Sequence, residues 1–286
     1  MITSEMRQSM KEFAVDIRIG CITALESIGI GHVGGSFSIC DLMAVLYGGV
    51  MNVDPKNPRW EQRDRFIMSK GHAGPAMYAA LANRGFFDID MLTTLNKPGT
   101  NLPSHTDRSK TPGVDMTTGS LGQGFSSGLG IALACKLKGL NNRTFILLGD
   151  GECQEGQVWE CVMFAPAKKL SNVITFIDFN NRQIDGFIDE VIPLGNISKK
   201  FAEFGWNALD VADGNDIDQI CDALEKVLAT EGPSVIVLHT LKGKGCAFAE
   251  KLENNHNCPV SHEQAQETLK DLYALKAGMK EGRVKK

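Results

Sequence analysis

The stretch FILLGDGECQEG, residues Phe145 to Gly156, joins an apolar run to glycines and acidic residues. Asp150 stands between Gly149 and Gly151, directly after the apolar residues that predict a buried strand. Asp and Gly are common turn residues after strands, so an acidic turn is the ordinary interpretation. The other interpretation is that the Asp150 carboxylate binds a cation.

A second polar segment follows at the spacing expected for the next parallel strand. The apolar residues of NVITFIDFNNRQIDG lead into Asn180 and Asn181, and Asn180 lies 30 residues after Asp150. That separation is about one β-α-β unit, so adjacent parallel strands would bring the two side chains together at one sheet edge. Carboxylate and amide oxygens suit Mg²⁺, which keeps positions for phosphate oxygens, and glycines let backbone amides approach a diphosphate. The spacing therefore favours a cation site.

The elements that would position these residues alternate between strands and helices. Apolar runs predict strands in TFILLGD, NVITFIDFN, WNALDVAD and SVIVLHT, with helices at about 157–169, 196–204 and 216–230. Strands that are almost continuously apolar are typical of parallel strands covered on both faces. The sequence thus predicts an α/β fold, a doubly wound and mainly parallel sheet with helices on both faces. Residues 96–124, rich in Gly, Pro, Thr and Ser, predict a long irregular segment that is functional or disordered.

Composition and length predict one domain over residues 1–286, with an amphipathic helix at about 5–28 and a frayed tail after about 275. Hydrophobic content of 43% and charged content of 22% are ordinary for a globular protein. A net charge of −4 gives no reason to expect nucleic-acid or membrane partners. We find no segment of membrane-span length and no secretory signal, and the eight scattered cysteines suit reduced, buried thiols in a cytoplasmic protein.

Three of the six histidines stand in polar or glycine-rich loops rather than on apolar helical faces. His32, His72 and His105 are therefore candidates for acid–base or hydrogen-bonding roles near neutral pH. His239, inside the predicted strand SVIVLHT, is interpreted as a core residue, and His262 as a solvated residue at the start of a tail helix.

Taken together, these motifs resemble a known enzyme family. GDG followed by the asparagine pair resembles the thiamine-diphosphate motif. GHVGGSFSICDLMAVLY, DRFIMSKGHAGPAMYAAL, LPSHTD, TTGSLGQGFSSGLGIALA and TLKGKG resemble, in the family's order, the N-terminal half of transketolase. The resemblance extends from about residue 31 to residue 256.

The resemblance implies thiamine diphosphate as cofactor, with Mg²⁺ or another divalent cation such as Ca²⁺ or Mn²⁺. Implied metal ligands are the side chains of Asp150 and Asn180 and the carbonyl of Arg182. Implied cofactor contacts, besides the metal ligands, are Gly151, His72, Gly119, Ser120, Leu121 and His256. Implied catalytic residues are His32 and His105 near the reacting carbons of the sugar, Glu155 as a carboxylate that relays charge between active sites, and His256 near diphosphate and substrate.

Transketolases pass a two-carbon glycolaldehyde unit from a ketose phosphate to an aldose phosphate, as in the pentose phosphate pathway. Full transketolases are about twice as long as this chain and carry a second α/β domain and a C-terminal domain. The resemblance therefore implies the N-terminal subunit of a split transketolase. We expect it to need a separate C-terminal subunit, in an α2β2 assembly, and to be inactive alone.

Other functions remain open on the sequence. One is a transketolase-type enzyme for a modified ketose in a dedicated sugar-degradation pathway. Another is a 1-deoxyxylulose-5-phosphate-synthase-like enzyme or a 2-oxoacid dehydrogenase α subunit, although the GHVGG, SKGHA and PSH loops weigh against the latter. The last is a non-catalytic cofactor-binding or regulatory protein, which the presence of Asp150, Asn180 and the loop histidines disfavours.

Overall fold

A computed structural model describes residues 1–284. The helices are α1 (Ser4–Glu26), α2 (Val33–Phe37), α3 (Cys40–Val45), α4 (Gly74–Asn83), α5 (Gln123–Leu137), α6 (Gly156–Ala167), α7 (Ile188–Val191), α8 (Ile197–Glu203), α9 (Ile217–Leu228), α10 (Ala247–Lys251) and α11 (His262–Val284). The strands are β1 (Ile30–Gly31), β2 (Arg65–Met68), β3 (Thr144–Gly149), β4 (Val173–Phe179), β5 (Asn207–Val211), β6 (Ser234–His239) and β7 (Cys258–Pro259).

Five strands form one parallel sheet in the order β2-β3-β4-β6-β5. Alternate residues of β3 belong to two different hydrophobic cores. Phe145 and Leu147 pack in the core with α1, α3 and α4. Ile146 and Leu148 pack in the core with α5, α6 and α8. Because strand side chains alternate between the two faces, helices cover both sides of the sheet. The predicted fold class is confirmed.

The pairing of β3 with β4 sets the position of the candidate cation ligands. Gly149, the last residue of β3, lies opposite Asp178 of β4. Asp150, the next residue, therefore leaves the sheet beside Phe179, the last residue of β4. Asn180 follows directly after Phe179. β1 and β7 form a separate antiparallel ribbon, which joins the segment after α1 to the segment after α10.

The irregular segment expected at residues 96–124 is ordered, and part of it lies along the edge strand β2. The Asp115 carboxylate accepts a hydrogen bond from the Phe66 amide at 2.9 Å and pairs with buried Arg63. The Thr118 hydroxyl donates to the Met68 carbonyl at 2.6 Å. These contacts satisfy backbone groups that an edge strand would otherwise expose.

Three expectations from the sequence were wrong. The tail is not frayed from about residue 275, because α11 lies against α1, with Lys276 paired to Asp16, and stays helical to Val284; residues 285–286 of the predicted tail lie outside the described residues. His239 is not a core residue. It is the last residue of β6, at the carboxyl end of the sheet, where 44% of its side chain is exposed and the ring lies beside Asp210. One segment, Val33–Val50, does have the length and hydropathy of a membrane span, but 83% of it is buried within the fold.

Candidate active site

A cavity of about 400 Å³ opens at the carboxyl ends of β3 and β4, which is where ligands bind in parallel α/β sheets. The structure brings nearly all of the sequence-predicted site residues to its wall: His32, His72, His105, Gly119, Leu121, Asp150, Gly151, Glu155, Asn180, Arg182 and His256. Ser120 is exposed, next to Gly119. Segments that are far apart in sequence therefore form one site.

Asp150 is held at the end of β3 by backbone amides from two strand ends. One carboxylate oxygen accepts from the Gly151 amide at 2.8 Å, and the other accepts from the Asn181 amide at 2.6 Å. The side chain of Asn180 is oriented by Asp178, since its Nδ2 donates to Asp178 at 3.0 Å. Its Oδ1 accepts from the Arg182 amide at 3.1 Å.

Asp150 and Asp178 are buried side by side at these strand ends, and of the two only Asp178 has an ion-pair partner within hydrogen-bond distance. Lys70 Nζ lies 2.5 Å from Asp178 Oδ2. Burial alone would raise the pKa of Asp178, but the Lys70 charge and the hydrogen bonds that Asp178 accepts lower it below the usual value. Burial, and then the charge of Asp178, raise the pKa of Asp150 to about 7. A further cation near Asp150 would therefore favour the ionised form of its carboxylate.

Lys242 supplies part of that charge, because it lines the same cavity and its charge lowers the pKa of Asp150. Its Nζ donates to the Arg182 carbonyl at 3.0 Å. Burial lowers the pKa of Lys242 to about 8, and the charge of Asp150 acts in the opposite direction. A lysine with a lowered pKa compensates a carboxylate only partly, so the cavity remains suited to an added cation.

The oxygens around Asp150 fit a hard divalent cation. Asp150, Asn180 and Arg182 all line the same cavity, and each has an oxygen that a cation could bind. In the described part of the chain, Asn181 Oδ1 and Gln183 Oε1 are buried and have no hydrogen-bond partner. No three His, Cys, Asp or Glu side chains of residues 1–284 group as a metal site. The set is thus one of mixed oxygen donors, which Mg²⁺ or Ca²⁺ prefers, and not a soft transition-metal site.

Four histidines from four loops meet on the other side of the cavity. The ring centroid of His32 lies 5.3 Å from His72, 5.5 Å from His105 and 5.2 Å from His256. His72 and His256 are 4.8 Å apart. Burial lowers the pKa of His32 to about 4 and that of His256 to about 3, and it lowers the pKa of His72 and His105 as well. The imidazoles are therefore neutral at pH 7, where each can donate one hydrogen bond and accept another.

Sequence reasoning missed four charged residues of the site: Lys70, Glu152, Asp178 and Lys242. Glu152 is buried and accepts hydrogen bonds from the Ser69 hydroxyl, from the Gly122 amide at 2.8 Å and from the Gly149 amide at 3.0 Å. It thereby fixes the end of β3 to the start of α5, where Gly122 has a φ of +83°. In the sequence, only their positions next to the recognised motifs could have marked three of these residues as site residues. Glu152 follows Gly151, Lys70 lies inside SKGHA and Lys242 lies inside TLKGKG. By contrast, predicted Glu155 is exposed on the cavity rim.

A parallel sheet with a polar cavity at the ends of its interior strands defines an α/β ligand-binding domain. Residues 9–279 match the family model described as transketolase, thiamine diphosphate binding domain. The chain belongs to this family.

Two relatives of similar length are named as subunits. The chain is 46% identical over 270 residues to the 6-deoxy-6-sulfo-D-fructose transketolase subunit SqwG of Clostridium sp. (strain MSTE9), covering 94% of this chain and 98% of that protein. It is 37% identical over 264 residues to an apulose-4-phosphate transketolase subunit of Actinobacillus succinogenes, covering 91% and 95%. Human transketolase is 34% identical over 268 residues, which are 93% of this chain but 42% of that protein.

Solved transketolases have the same fold in part of their length. The transketolase of Leishmania mexicana superposes with a TM-score of 0.83 at 27% identity, covering 96% of this chain and 46% of that one. The transketolase of Campylobacter jejuni gives a TM-score of 0.84 at 26% identity, covering 98% and 48%. The chain therefore spans about half the length of the solved transketolases it matches.

Replacing Glu152 should loosen the site and destabilise the fold. We expect Glu152→Ala to lower the free energy of unfolding by about 2–4 kcal/mol, because two buried amide donors lose their acceptor at about 1–3 kcal/mol each. Glu152→Gln keeps one acceptor oxygen and should show a smaller loss. Urea unfolding measures both, with Glu155→Ala, at the exposed neighbour, changing stability by no more than about 0.5 kcal/mol. Equal effects at positions 152 and 155 would contradict the assigned hydrogen bonds.

The raised pKa of Asp150 should appear in the pH dependence of stability when no divalent cation is present. The folded value of about 7 lies above the unfolded value of about 3.9, so wild-type stability falls as pH rises between the two values. Asp150→Asn removes this pH-dependent penalty. We expect the Tm of the variant, relative to wild type, to be higher at pH 8 than at pH 5. Asp90→Asn, at an exposed carboxyl, is the control. An Asp150→Asn offset that is the same at both pH values would show that this carboxyl is not perturbed.

Proposed function

We propose that this chain is the thiamine-diphosphate-binding subunit of a two-subunit transketolase that transfers a glycolaldehyde unit from a ketose to an aldose. The observation that carries the proposal is the meeting, in one cavity, of the oxygen-rich ends of β3 and β4 with four neutral histidines. The first half of this arrangement suits a diphosphate with its divalent cation, and the second suits a ligand rich in hydroxyl groups.

The chain's own residues would divide the work of holding the cofactor. When bound, thiamine diphosphate supplies the electron sink for cleaving a bond next to a carbonyl. Asp150, Asn180 and the Arg182 carbonyl would hold Mg²⁺, or Ca²⁺ or Mn²⁺ in its place. The Gly151 amide and His72 would contact the diphosphate. Gly119 and Leu121 would line the wall where the remainder of the cofactor lies, with Ser120 beside them.

The histidines would bind the sugar and handle its protons. His32, His105 and His256 are neutral at pH 7, so each can accept a proton from one hydroxyl while it donates a hydrogen bond to another group. A neutral cluster also avoids placing more positive charge beside Lys242 and the cation. Glu155, exposed on the rim, would contact a neighbouring subunit and there relay charge between active sites.

A separate partner subunit would close the cavity. The subunit names of the relatives and the half-length match to full transketolases support this. Apolar side chains are exposed at and near the rim: Ile184, which lines the cavity, is 61% exposed, and Ile192 is 54% exposed. Exposed apolar patches of this kind mark protein interfaces. We propose an α2β2 assembly in which the C-terminal subunit covers this rim.

A second candidate concerns the sugar. Identity is 46% to a relative named for 6-deoxy-6-sulfo-D-fructose but 34% to human transketolase. This difference favours a modified ketose in a dedicated sugar-degradation pathway over a ketose phosphate of the pentose phosphate pathway. Both candidates use the same cavity, and they differ in the group at the far end of the sugar.

The cation site can be tested by calorimetry on the chain assembled with its partner. Thiamine diphosphate should bind in the presence of Mg²⁺, and Asp150→Ala should weaken that binding at least about 100-fold, because a charged metal ligand is lost. Asp90→Asn should bind as wild type does. Cofactor affinity unchanged by Asp150→Ala, or unchanged by removing Mg²⁺, would refute the site.

The activity can be tested by mixing the purified chain with its complementary subunit. We expect no turnover by the chain alone and aldose release from a ketose once the partner is added. Comparing kcat/KM for fructose 6-phosphate and 6-deoxy-6-sulfo-D-fructose, with one aldose acceptor, decides between the two sugars. Full activity of the isolated chain would overturn the two-subunit proposal, and cofactor binding without turnover of any ketose would indicate a non-catalytic protein.

A further inference from the structure

Arg182 contacts two parts of the site with two different groups. Its backbone carbonyl lies in the cavity, where Lys242 donates to it at 3.0 Å. Its guanidinium points away and donates from Nη1 to the Leu252 carbonyl at 3.3 Å and to the Glu253 carbonyl at 2.9 Å. One residue therefore links the segment after β4 to the segment after α10.

The two carbonyls are good acceptors for a cation because of where they lie. Helix α10 ends at Lys251, so the carbonyls that follow have no partner in a further helical turn. Basic side chains near a helix C-terminus satisfy such carbonyls and interact favourably with the helix dipole. On its other side the guanidinium stacks 4.9 Å from the Phe187 ring, and Arg182 pairs with Phe187 in an isolated bridge. The guanidinium is thus fixed to its own loop before it reaches across.

The segment that Arg182 contacts leads directly to His256. Only Asn254 and Asn255 separate Glu253 from His256, and the Asn254 side chain accepts from the His256 amide at 3.3 Å. The His256 ring then lies against the rings of His32 and His72. A displacement at Leu252–Glu253 would move the His256 ring relative to the other histidines.

Asn255 fastens the same segment from the inside. It is buried, its Nδ2 donates to the carbonyls of Lys242 at 3.1 Å and Ala249 at 2.9 Å, and its carbonyl accepts from the Gly34 amide at 3.0 Å. A Cβ added at Gly34 would lie 2.6 Å from the Asn255 carbonyl oxygen, so the two backbones are in close contact. Because these contacts do not involve Arg182, we expect the segment to stay folded when Arg182 is substituted.

We propose that the Arg182 guanidinium is a positioning group that couples the loop at the cation site to the segment carrying His256. The role in positioning a sugar-binding histidine rests on the proposed function. Because the carbonyl belongs to the backbone and the guanidinium to the side chain, a substitution at residue 182 removes the coupling and leaves the cation ligand in place.

The test uses the full chain and compares Arg182→Ala with Arg182→Lys. Hydrogen–deuterium exchange reports on the amides of residues 252–257, and the histidine ring signals in an NMR spectrum report on His256, which is assigned with a His256→Gln variant. We expect Arg182→Ala to speed exchange in this segment about tenfold or more, since hydrogen bonds from a charged donor are lost, and to shift or broaden the His256 signal. Arg182→Lys, which keeps one donor cation, should restore part of the protection.

Arg108→Ala is the matched control, because Arg108 is an exposed arginine whose side chain does not line this cavity. It should leave exchange and the His256 signal unchanged. Wild-type exchange and an unchanged His256 signal in Arg182→Ala would overturn the proposal, as would an equal effect from Arg108→Ala.

Adding Mg²⁺ and thiamine diphosphate separates this proposal from the proposed function. With the partner subunit present, wild type should bind both and show slower exchange at residues 252–257, whereas Arg182→Ala, compared at saturating cofactor, should lack that slowing. Equal slowing in the variant would overturn the coupling. If wild type assembled with its partner binds no cofactor, the proposed function fails, and the cofactor-free comparison still decides whether Arg182 positions His256.

Discussion

The structure depends on the parallel pairing of β3 with β4, which places the carboxylates of Asp150 and Asp178 beside each other at the end of a buried sheet. Lys70 lies within hydrogen-bond distance of Asp178 and lowers its pKa, while Asp150 keeps a pKa of about 7 because burial and the Asp178 charge both oppose its ionisation. A buried carboxyl without a close ion-pair partner at the end of β3 favours the binding of a cation at that position. The surrounding amide and carbonyl oxygens then decide which kind of cation fits.

The same burial has the opposite consequence on the histidine side of the cavity. Basic groups lose their charge on burial, so His32 and His256 are neutral at pH 7, and Lys242 has a lowered pKa. One cavity thus contains a negative end that attracts a cation and a neutral end that exchanges hydrogen bonds. This division agrees with a ligand that carries a diphosphate with its metal at one end and meets a polyhydroxylated carbon chain at the other.

The parts of this site that the sequence predicts are those set by local patterns. Apolar runs and helical periodicity placed β3, β4, α6 and α8 within a few residues, and the β-α-β length was enough to pair Asp150 with Asn180. The charged partners were not predictable in this way, because Lys70 and Asp178 are 108 residues apart and nothing local marks them as a pair. His239 was misjudged because it is the last residue of β6, where the strand leaves the core, and the apolar run before it does not show where burial ends. The tail was misjudged because its order comes from packing on α1, a tertiary effect that composition does not reveal.

The position of the site strands within the sheet also limits how a second chain can reach them. Both β3 and β4 are hydrogen-bonded to a strand on each side, and the outer neighbour of β3 has its own free edge covered by Asp115 and Thr118. No foreign strand can be inserted beside either of them. Another polypeptide can therefore meet the cavity only head-on, along the strand axes, through loops and side chains that close over its mouth.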